Sequence, residues 1–227
     1  MNNTFGKLLF VYVGISITAC STIKTDELTK NESKMLENKS LVYTQYKKPP
    51  NFQARTAANV QFGLIGLSVA IEAGNDMIKN NKVEDPAFEI ANLLGEALKS
   101  NHNVNVIYNN TLTKSYRIKD LVSLYKESDY ILDVRTLDWG SIYYMSDWNN
   151  YRIFYNVHAR LIDRKTKKIL AEEVCSNTPE YKNSNLGPSY EDLENGDSIK
   201  LELAKSVKFC VEHILTMTKF HDKKELL

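Results

Sequence analysis

The chain is short of most things that announce a chemistry. It has three cysteines, no Cys-x-x-Cys, and four histidines, His102, His158, His213 and His221. None of the histidines pairs at i, i+4 or joins a Cys/His cluster of zinc-site spacing, so no metal ligand set is expected. There is no Gly-x-Gly-x-x-Gly, Walker loop, Gly-x-Ser-x-Gly or His-Glu-x-x-His, which leaves no motif for a nucleotide cofactor, a serine nucleophile or a zinc protease. There is no surplus of charge either. Lys and Arg total 29 against 28 Asp and Glu, a net charge of +1, where a hold on nucleic acid usually needs a basic excess. Long apolar runs are missing as well. What remains is a 227-residue chain, 43% hydrophobic and 25% charged, of a size for one globular domain.

The N-terminus is the most specific part. Met1 to Lys7 is polar with one positive charge, and Leu8 to Ala19 is uncharged and mostly apolar. That is the plan of a secretory signal. The apolar part would be about 18 Å long as a helix, against a hydrocarbon core of roughly 30 Å, so it is too short to span comfortably. The segment ends Ile17-Thr18-Ala19-Cys20-Ser21 and resembles the lipobox of bacterial lipoprotein precursors. The resemblance implies a signal peptide over residues 1–19, cleavage before Cys20, and diacylation of its thiol, usually with a further acyl chain such as palmitate on the amine. A plain secreted protein cleaved near Ala19 is the alternative. Two or three acyl chains meet the requirement for stable anchoring. Ser21 resembles the second mature residue of lipoproteins sent to the outer membrane. Loss of the signal removes only Lys7, which leaves basic and acidic residues balanced, so steering toward anionic lipid is weak.

With Cys20 lipidated, Cys175 and Cys210 remain, an even count in an oxidising compartment. A disulfide between them is the economical reading, with two free thiols or a redox pair as alternatives. It would tie a strand to the C-terminal helix and close a loop of about 35 residues, constraining the unfolded chain by roughly 3.5–4 kcal/mol in the entropy model.

Residues 20–51 are rich in Lys, Glu, Asn, Ser and Thr, end in Lys47-Lys48-Pro49-Pro50, and read as a flexible tether. A single α+β domain is expected over residues 52–220, with a charged tail at 221–227. Gly63 to Lys79 reads as a helix with Gly63, Gly66, Ala70 and Ala73 along one face, a stripe that admits close helix packing or, alternatively, membrane contact. Asp85-Pro86 starts a second helix, since Asp can cap orphan amides and Pro needs no donor at the first position. Its stripe is Ala87, Ile90, Ala91, Leu94 and Leu98, and it should stop near Ser100. Val104 to Tyr108 reads as a short strand and Ile118 to Glu127 as a short helix.

Tyr130 to Trp139 reads as a strand, Gly140 to Asn150 as a turn-rich connection, and Tyr151 to Asp163 as the clearest strand. Ile169 to Cys175 returns as its antiparallel partner after a polar turn. Residues 177–195 read as a loop and Ser198 to Thr218 as a long helix. The simplest packing is an antiparallel-dominated sheet with helices on one face.

The pattern Tyr151-x-Ile-x-Tyr-x-Val-x-Ala-x-Leu-x-Asp163-x-x-Thr166-x-Lys168-x-Leu170 resembles the strand-turn-strand of the curli-secretion-lipoprotein-like α/β group. That group often has Gly in the turn where this chain has Lys167. Together with Asp85-Pro86-Ala87, Asp133 to Trp139 and the Cys175/Cys210 pair, the chain looks like a family of proteobacterial outer-membrane lipoproteins. The likeness implies a compartment, the periplasmic side of the outer membrane, and a domain type. It carries no catalytic or ligand residues with it.

Among candidate site residues, His158 falls on the polar face of a strand and reads as a surface histidine. Glu172 and Glu173 are adjacent and point to opposite faces, so they cannot act as a carboxylate pair. Asp133 and Asp138, five apart, also face opposite ways on an ideal strand. The unusual feature is aromatic: Trp139, Tyr143, Tyr144, Trp148 and Tyr151 crowd into one segment that holds both tryptophans. Such clusters stabilise hairpins or serve interfaces. Trp139, Tyr143, Tyr144 and Trp148 are the candidate interaction surface, with at least one of Tyr143, Tyr144 and Trp148 expected to be exposed. The function expected is that of a non-enzymatic lipoprotein without cofactor or nucleic acid, held to the membrane by lipid and binding another envelope protein. An envelope hydrolase with a composite site, or a subunit of a secretion or transport assembly, are the alternatives.

Overall fold

The computed structural model describes residues 25–221. Residues 1–24, which hold the expected signal peptide, Cys20 and Ser21, and the tail beyond His221 lie outside the described residues. In chain order the elements are α1 (Lys30–Met35), β1 (Ser40–Tyr43), β2 (Gln45–Tyr46), β3 (Phe52–Arg55), α2 (Ala57–Val60), α3 (Gly63–Asn80), α4 (Pro86–His102), β4 (Asn105–Val106), β5 (Leu112–Thr113), α5 (Ile118–Leu124), β6 (Tyr130–Tyr144), β7 (Asp147–Asp163), β8 (Lys168–Asn177), a 3-10 turn at Ser184–Leu186, α6 (Tyr190–Glu194) and α7 (Asp197–Thr218).

The fold is α+β around a mixed sheet. Strands run β4-β1-β6-β7-β8, and β3 pairs with the distal half of β6; β2 and β5 form a separate two-stranded ribbon. The long pairings β6–β7 and β7–β8 are antiparallel. The shorter pairs β1–β4, β1–β6 and β3–β6 are parallel. The turn between β7 and β8 places Lys167 at φ 60°, the left-handed conformation that a glycine adopts more readily.

Two long helices cover one face of the sheet. Asp85 caps α4 by accepting from the Ala87 amide at 3.0 Å, with Pro86 in the first turn, and Asn103 ends the helix in the left-handed conformation. Its stripe of Ala87, Ile90, Ala91, Leu94 and Leu98 is buried, as is that of α7, Ile199, Leu203, Val207, Cys210 and Ile214. Both meet Leu132, Val134, Trp139, Tyr155, Val157 and Leu161 in the main core. Each fully buried aliphatic side chain contributes about 1.5–3 kcal/mol. On the opposite face α5 sets Leu121 and Tyr125 against Val42, Ile131 and Ile162.

Most of the stretch expected as a tether is part of the fold. Leu28, Leu36, Leu41, Val42 and Tyr43 are buried, and β1 is an inner strand. The domain therefore includes residues from Asp26, whose backbone pairs with Glu172 of β8, and not only those from Phe52. Five buried apolar side chains among many polar ones hold this segment down. His102 helps: its fully buried ring bonds to Ser33 Oγ at 2.9 Å through Nδ1 and to the Phe220 carbonyl at 3.1 Å through Nε2. The turn-rich connection at 140–150 is shorter than expected, because both strands continue to a tight turn at Met145-Ser146. The short strand expected at 104–108 narrows to β4, and the 177–195 loop is interrupted by the 3-10 turn and α6.

Of the small-residue stripe of α3, Gly66 and Ala70 are buried and Ala73 packs against the core, while Gly63 is exposed; Gly74, outside the stripe, is buried as well. A Cβ on Gly66 would lie 1.6 Å from the Asn59 carbonyl oxygen, and one on Gly74 would lie 2.3 Å from that of Phe52.

Candidate functional site

Cys175 of β8 and Cys210 of α7 are joined as a disulfide, with Cα atoms 5.5 Å apart. Both are buried in the main core, so the bond pins the long helix to the sheet and is shielded from solvent.

The aromatic segment divides in two. Trp139 is corrected from interaction surface to core: it is 1% exposed, packs edge-on against Phe52 with ring centroids 5.3 Å apart, and donates from Nε1 to the Pro50 carbonyl at 2.8 Å. Tyr144 is buried and Tyr143 is half-buried against the core, so neither offers a free face. Tyr144 lies beneath the Arg152 guanidinium, 4.8 Å from its ring centroid. Trp148 is exposed, at 60%. Strand alternation explains the split, since Trp139 and Tyr143 fall on the helix-covered face while Trp148 follows the turn.

Trp148 belongs to a larger apolar end. The tight turn beside it carries Met145, 91% exposed. The parallel register Arg55↔Ile142 brings the end of β3, and with it α2 and the start of α3, to this same end. There Val60, Phe62, Leu64, Ile65 and Val69 are exposed, Leu64 at 84%. No charged residue lies between Arg55 and Glu72. The 3-10 turn joins them: Ser184 Oγ donates to Asp147 at 2.8 Å, the Tyr151 amide donates to the Pro188 carbonyl at 2.8 Å, and Leu186 is exposed. Three separate turns thus present bulky apolar groups at one end. Exposed apolar groups gathered at one end in this way point to an interaction site. No described helix is long and apolar enough to cross a membrane.

A second feature lies on the polar face of β6–β7–β8. The β6–β7 register shifts between Thr136 and Asp138, leaving Leu137 as the extra residue of a bulge. The bulge overturns one expectation. Asp133 pairs with Arg160 and Asp138 with Asn156, four residues apart on β7, so the two carboxylates share a face. Glu172 and Glu173 do face apart, toward His158 and His213 respectively. His158 is not a surface residue: it is 4% exposed, with Nε2 3.1 Å from Glu172 and Nδ1 without a hydrogen-bond partner. Burial, opposed by the Glu172 bond and reinforced by nearby Arg160, lowers its pKa and favours the neutral ring.

Asp133 is the hub of this face. It accepts from Thr44 Oγ1 at 3.0 Å, Tyr46 Oη at 2.7 Å and Arg160 Nε at 2.7 Å. Burial and the adjacent carboxylate push the Tyr46 phenol well above its usual range, so it stays a donor. Arg160 also donates to the Tyr116 carbonyl, which fixes the β5–α5 turn over the sheet. Arg135 then lies 4.2 Å from the Tyr116 ring centroid. Its buried Nε has no hydrogen-bond partner.

Beside the bulge is a cleft of about 240 Å³, walled by Lys48, Pro49 and Pro50 on one side, Lys114 and Tyr116 on another, and Asp85 at the start of α4. Asp85 accepts from the Thr136 hydroxyl, and burial raises its carboxyl pKa, opposed by that bond and the Ala87 amide. Arg135, Lys48 and Lys114 form no ion pair among the described residues. Sequence reading missed this cleft because its residues come from four separated segments.

No protein family matches the chain, and neither does any curated protein. Among solved structures, a PelC dodecamer from Paraburkholderia phytofirmans is similar at 11% identity and TM-score 0.36, over 86% of this chain and 94% of that one. Lipoprotein GNA1162 from Neisseria meningitidis aligns at 16% identity and TM-score 0.29, over 78% and 99%. Protein XCC0632 from Xanthomonas campestris aligns at 10% identity and TM-score 0.38, over 86% and 93%. These values are too low for any property of those proteins to carry over.

Proposed function

We propose that the chain is an envelope lipoprotein, anchored through Cys20 to the periplasmic side of the bacterial outer membrane, that works as a non-enzymatic module binding another envelope protein at its apolar end. The observation that carries this reading is the uncharged, exposed tip of α2–α3, with Phe62, Leu64 and Ile65, at the same end of the sheet as Met145 and Trp148. Protein interfaces bury bulky apolar and aromatic groups of this kind at their centres.

Chain geometry leaves the apolar end free to meet a protein. The described chain enters at Asp26, beside Glu172, which is level with Arg160 on β7. From Arg160 to the turn before Asp147 the strand rises roughly 43 Å. The six residues from Cys20 to Asp26 reach at most about 22 Å. With the domain upright on its anchor, the apolar end stands clear of the bilayer and is presented to a partner.

Two measurements test the proposal. Cys20→Ala should leave a larger, soluble or uncleaved species, and a variant that fractionates with membranes at the wild-type mass overturns the anchor. A photoreactive residue at position 65 should crosslink in intact cells to a discrete protein, and Phe62→Ser with Leu64→Ser should abolish the product without loss of folding. Crosslinking to lipid alone, or a product indifferent to those substitutions, overturns the binding role.

A further inference from the structure

We propose that the cleft beside the β6 bulge is a binding site for a small ligand carrying a carboxylate or phosphate group. This site is separate from the apolar end and does not depend on it.

The first ground is charge. Arg135, Lys48 and Lys114 line one cleft of about 240 Å³. None of the three has an acidic partner among the described residues, although the nearby basic side chain Arg160 is paired with Asp133 at 2.7 Å. The two carboxylates close by offset them only in part. Asp133 is already committed to Arg160, Tyr46 and Thr44. Asp85 lines the cleft too, and the bonds it accepts from the Thr136 hydroxyl and the Ala87 amide leave its charge in place, so it offsets one of the three cations. The cleft is therefore net positive in a chain whose overall charge is close to zero.

The second ground is an unspent donor. Arg135 Nε is buried without a hydrogen-bond partner. Nε itself is closed to solvent, so a ligand would meet the terminal nitrogens of the guanidinium, which make no hydrogen bond among the described residues and would gain charge-assisted bonds to an oxyanion. The guanidinium is already oriented, because it lies against the Tyr116 ring, whose turn is held by Arg160. A planar guanidinium fixed in this way suits two-pronged recognition of carboxylate or phosphate.

The third ground is shape. Pro49, Pro50, Leu137 and the Tyr116 ring supply apolar walls next to the cations. A mostly apolar pocket with a few convergent polar groups is the usual form of a small-molecule site. The walls leave room for a ring beside the oxyanion. Arg135, Thr136 and the bulged Leu137 all line this opening, and bulges recur beside functional sites.

The test uses the whole mature domain and four probes: inorganic phosphate, glucose 1-phosphate, glucuronate and neutral glucose, followed by calorimetry and by amide-shift titration. Glucose 1-phosphate or glucuronate should bind and shift the amides of residues 135–137, with glucose giving no binding. The better of the two anions identifies phosphate or carboxylate as the natural group. Arg135→Gln should weaken binding about tenfold or more, the weight of one charge-assisted hydrogen bond. Because that change also removes the contact with Tyr116, Lys48→Gln with Lys114→Gln provides a second variant at exposed positions. It should weaken the same anion with no change in melting temperature. Absence of binding by every anion, equal binding of glucose, or anion binding indifferent to both variants overturns the proposal.

Discussion

Arg160 donates from Nε to the Asp133 carboxylate at 2.7 Å, and the two side chains are 10% and 0% exposed. A pair this dry is expensive to break on one side only. Asp133→Ala should cost about 3–5 kcal/mol in chemical unfolding, because it strands the guanidinium and leaves Tyr46 and Thr44 without their acceptor. Replacing both members, Asp133→Leu with Arg160→Met, should recover a large part of the loss. If the double variant is as unstable as the sum of the two single changes, the pair is not acting as a unit.

The two tryptophans make opposite predictions. Trp148→Ala should change stability by no more than about 0.5 kcal/mol, as for other exposed side chains. Trp139→Phe should cost more, since it removes the bond to the Pro50 carbonyl and opens space against Phe52. Trp139→Ala should cost about 3–5 kcal/mol. Because the chain has only these two tryptophans, each variant also isolates the fluorescence of the other. Trp148 alone should emit at long wavelength and be quenched by iodide, and Trp139 alone should be blue-shifted and protected.

How much of this was legible depends on how local each signal is. Helix α4 was readable because its cap, its proline and its stripe lie within one segment. The β7–β8 hairpin was readable because its alternation is unbroken over many residues. Strand β1 was not. Leu41, Val42 and Tyr43 form a short apolar run whose faces are both covered, so it shows no alternation, and lysines and asparagines around it mimic a linker. Asp133 and Asp138 were assigned to opposite faces for want of one fact, the bulge at Leu137, which no local pattern reveals. The hub at Asp133 draws partners from Thr44, Tyr46 and Arg160, distant in sequence and brought together only by sheet order.

The disulfide between Cys175 and Cys210 should be silent toward function and loud toward stability. Cys175→Ala with Cys210→Ala should lower unfolding free energy by about 2–5 kcal/mol. Both sulfurs are in the core, so mild reductant should leave the native protein's free-thiol count unchanged until denaturant is added. Ready reduction in the native state would show that the junction of β8 with α7 opens locally.

Asp85 gives a prediction with a definite sign in pH. Burial raises its folded-state pKa above the unfolded value near 3.8, so the folded protein holds that proton more tightly. The stability this contributes is fully present below about pH 3.8 and is lost as pH rises through the raised folded pKa. Asp85→Asn keeps an oxygen for the Ala87 amide and for the Thr136 hydroxyl, and Asn caps helices about as well as Asp. The variant cannot carry the charge that burial penalises. Its stability relative to the parent should therefore rise with pH, from parity or a small deficit near pH 3 to an advantage at pH 7. Denaturant unfolding at several pH values measures the difference directly. A gap that stays constant with pH would mean that Asp85 ionises as freely in the folded protein as in the unfolded chain.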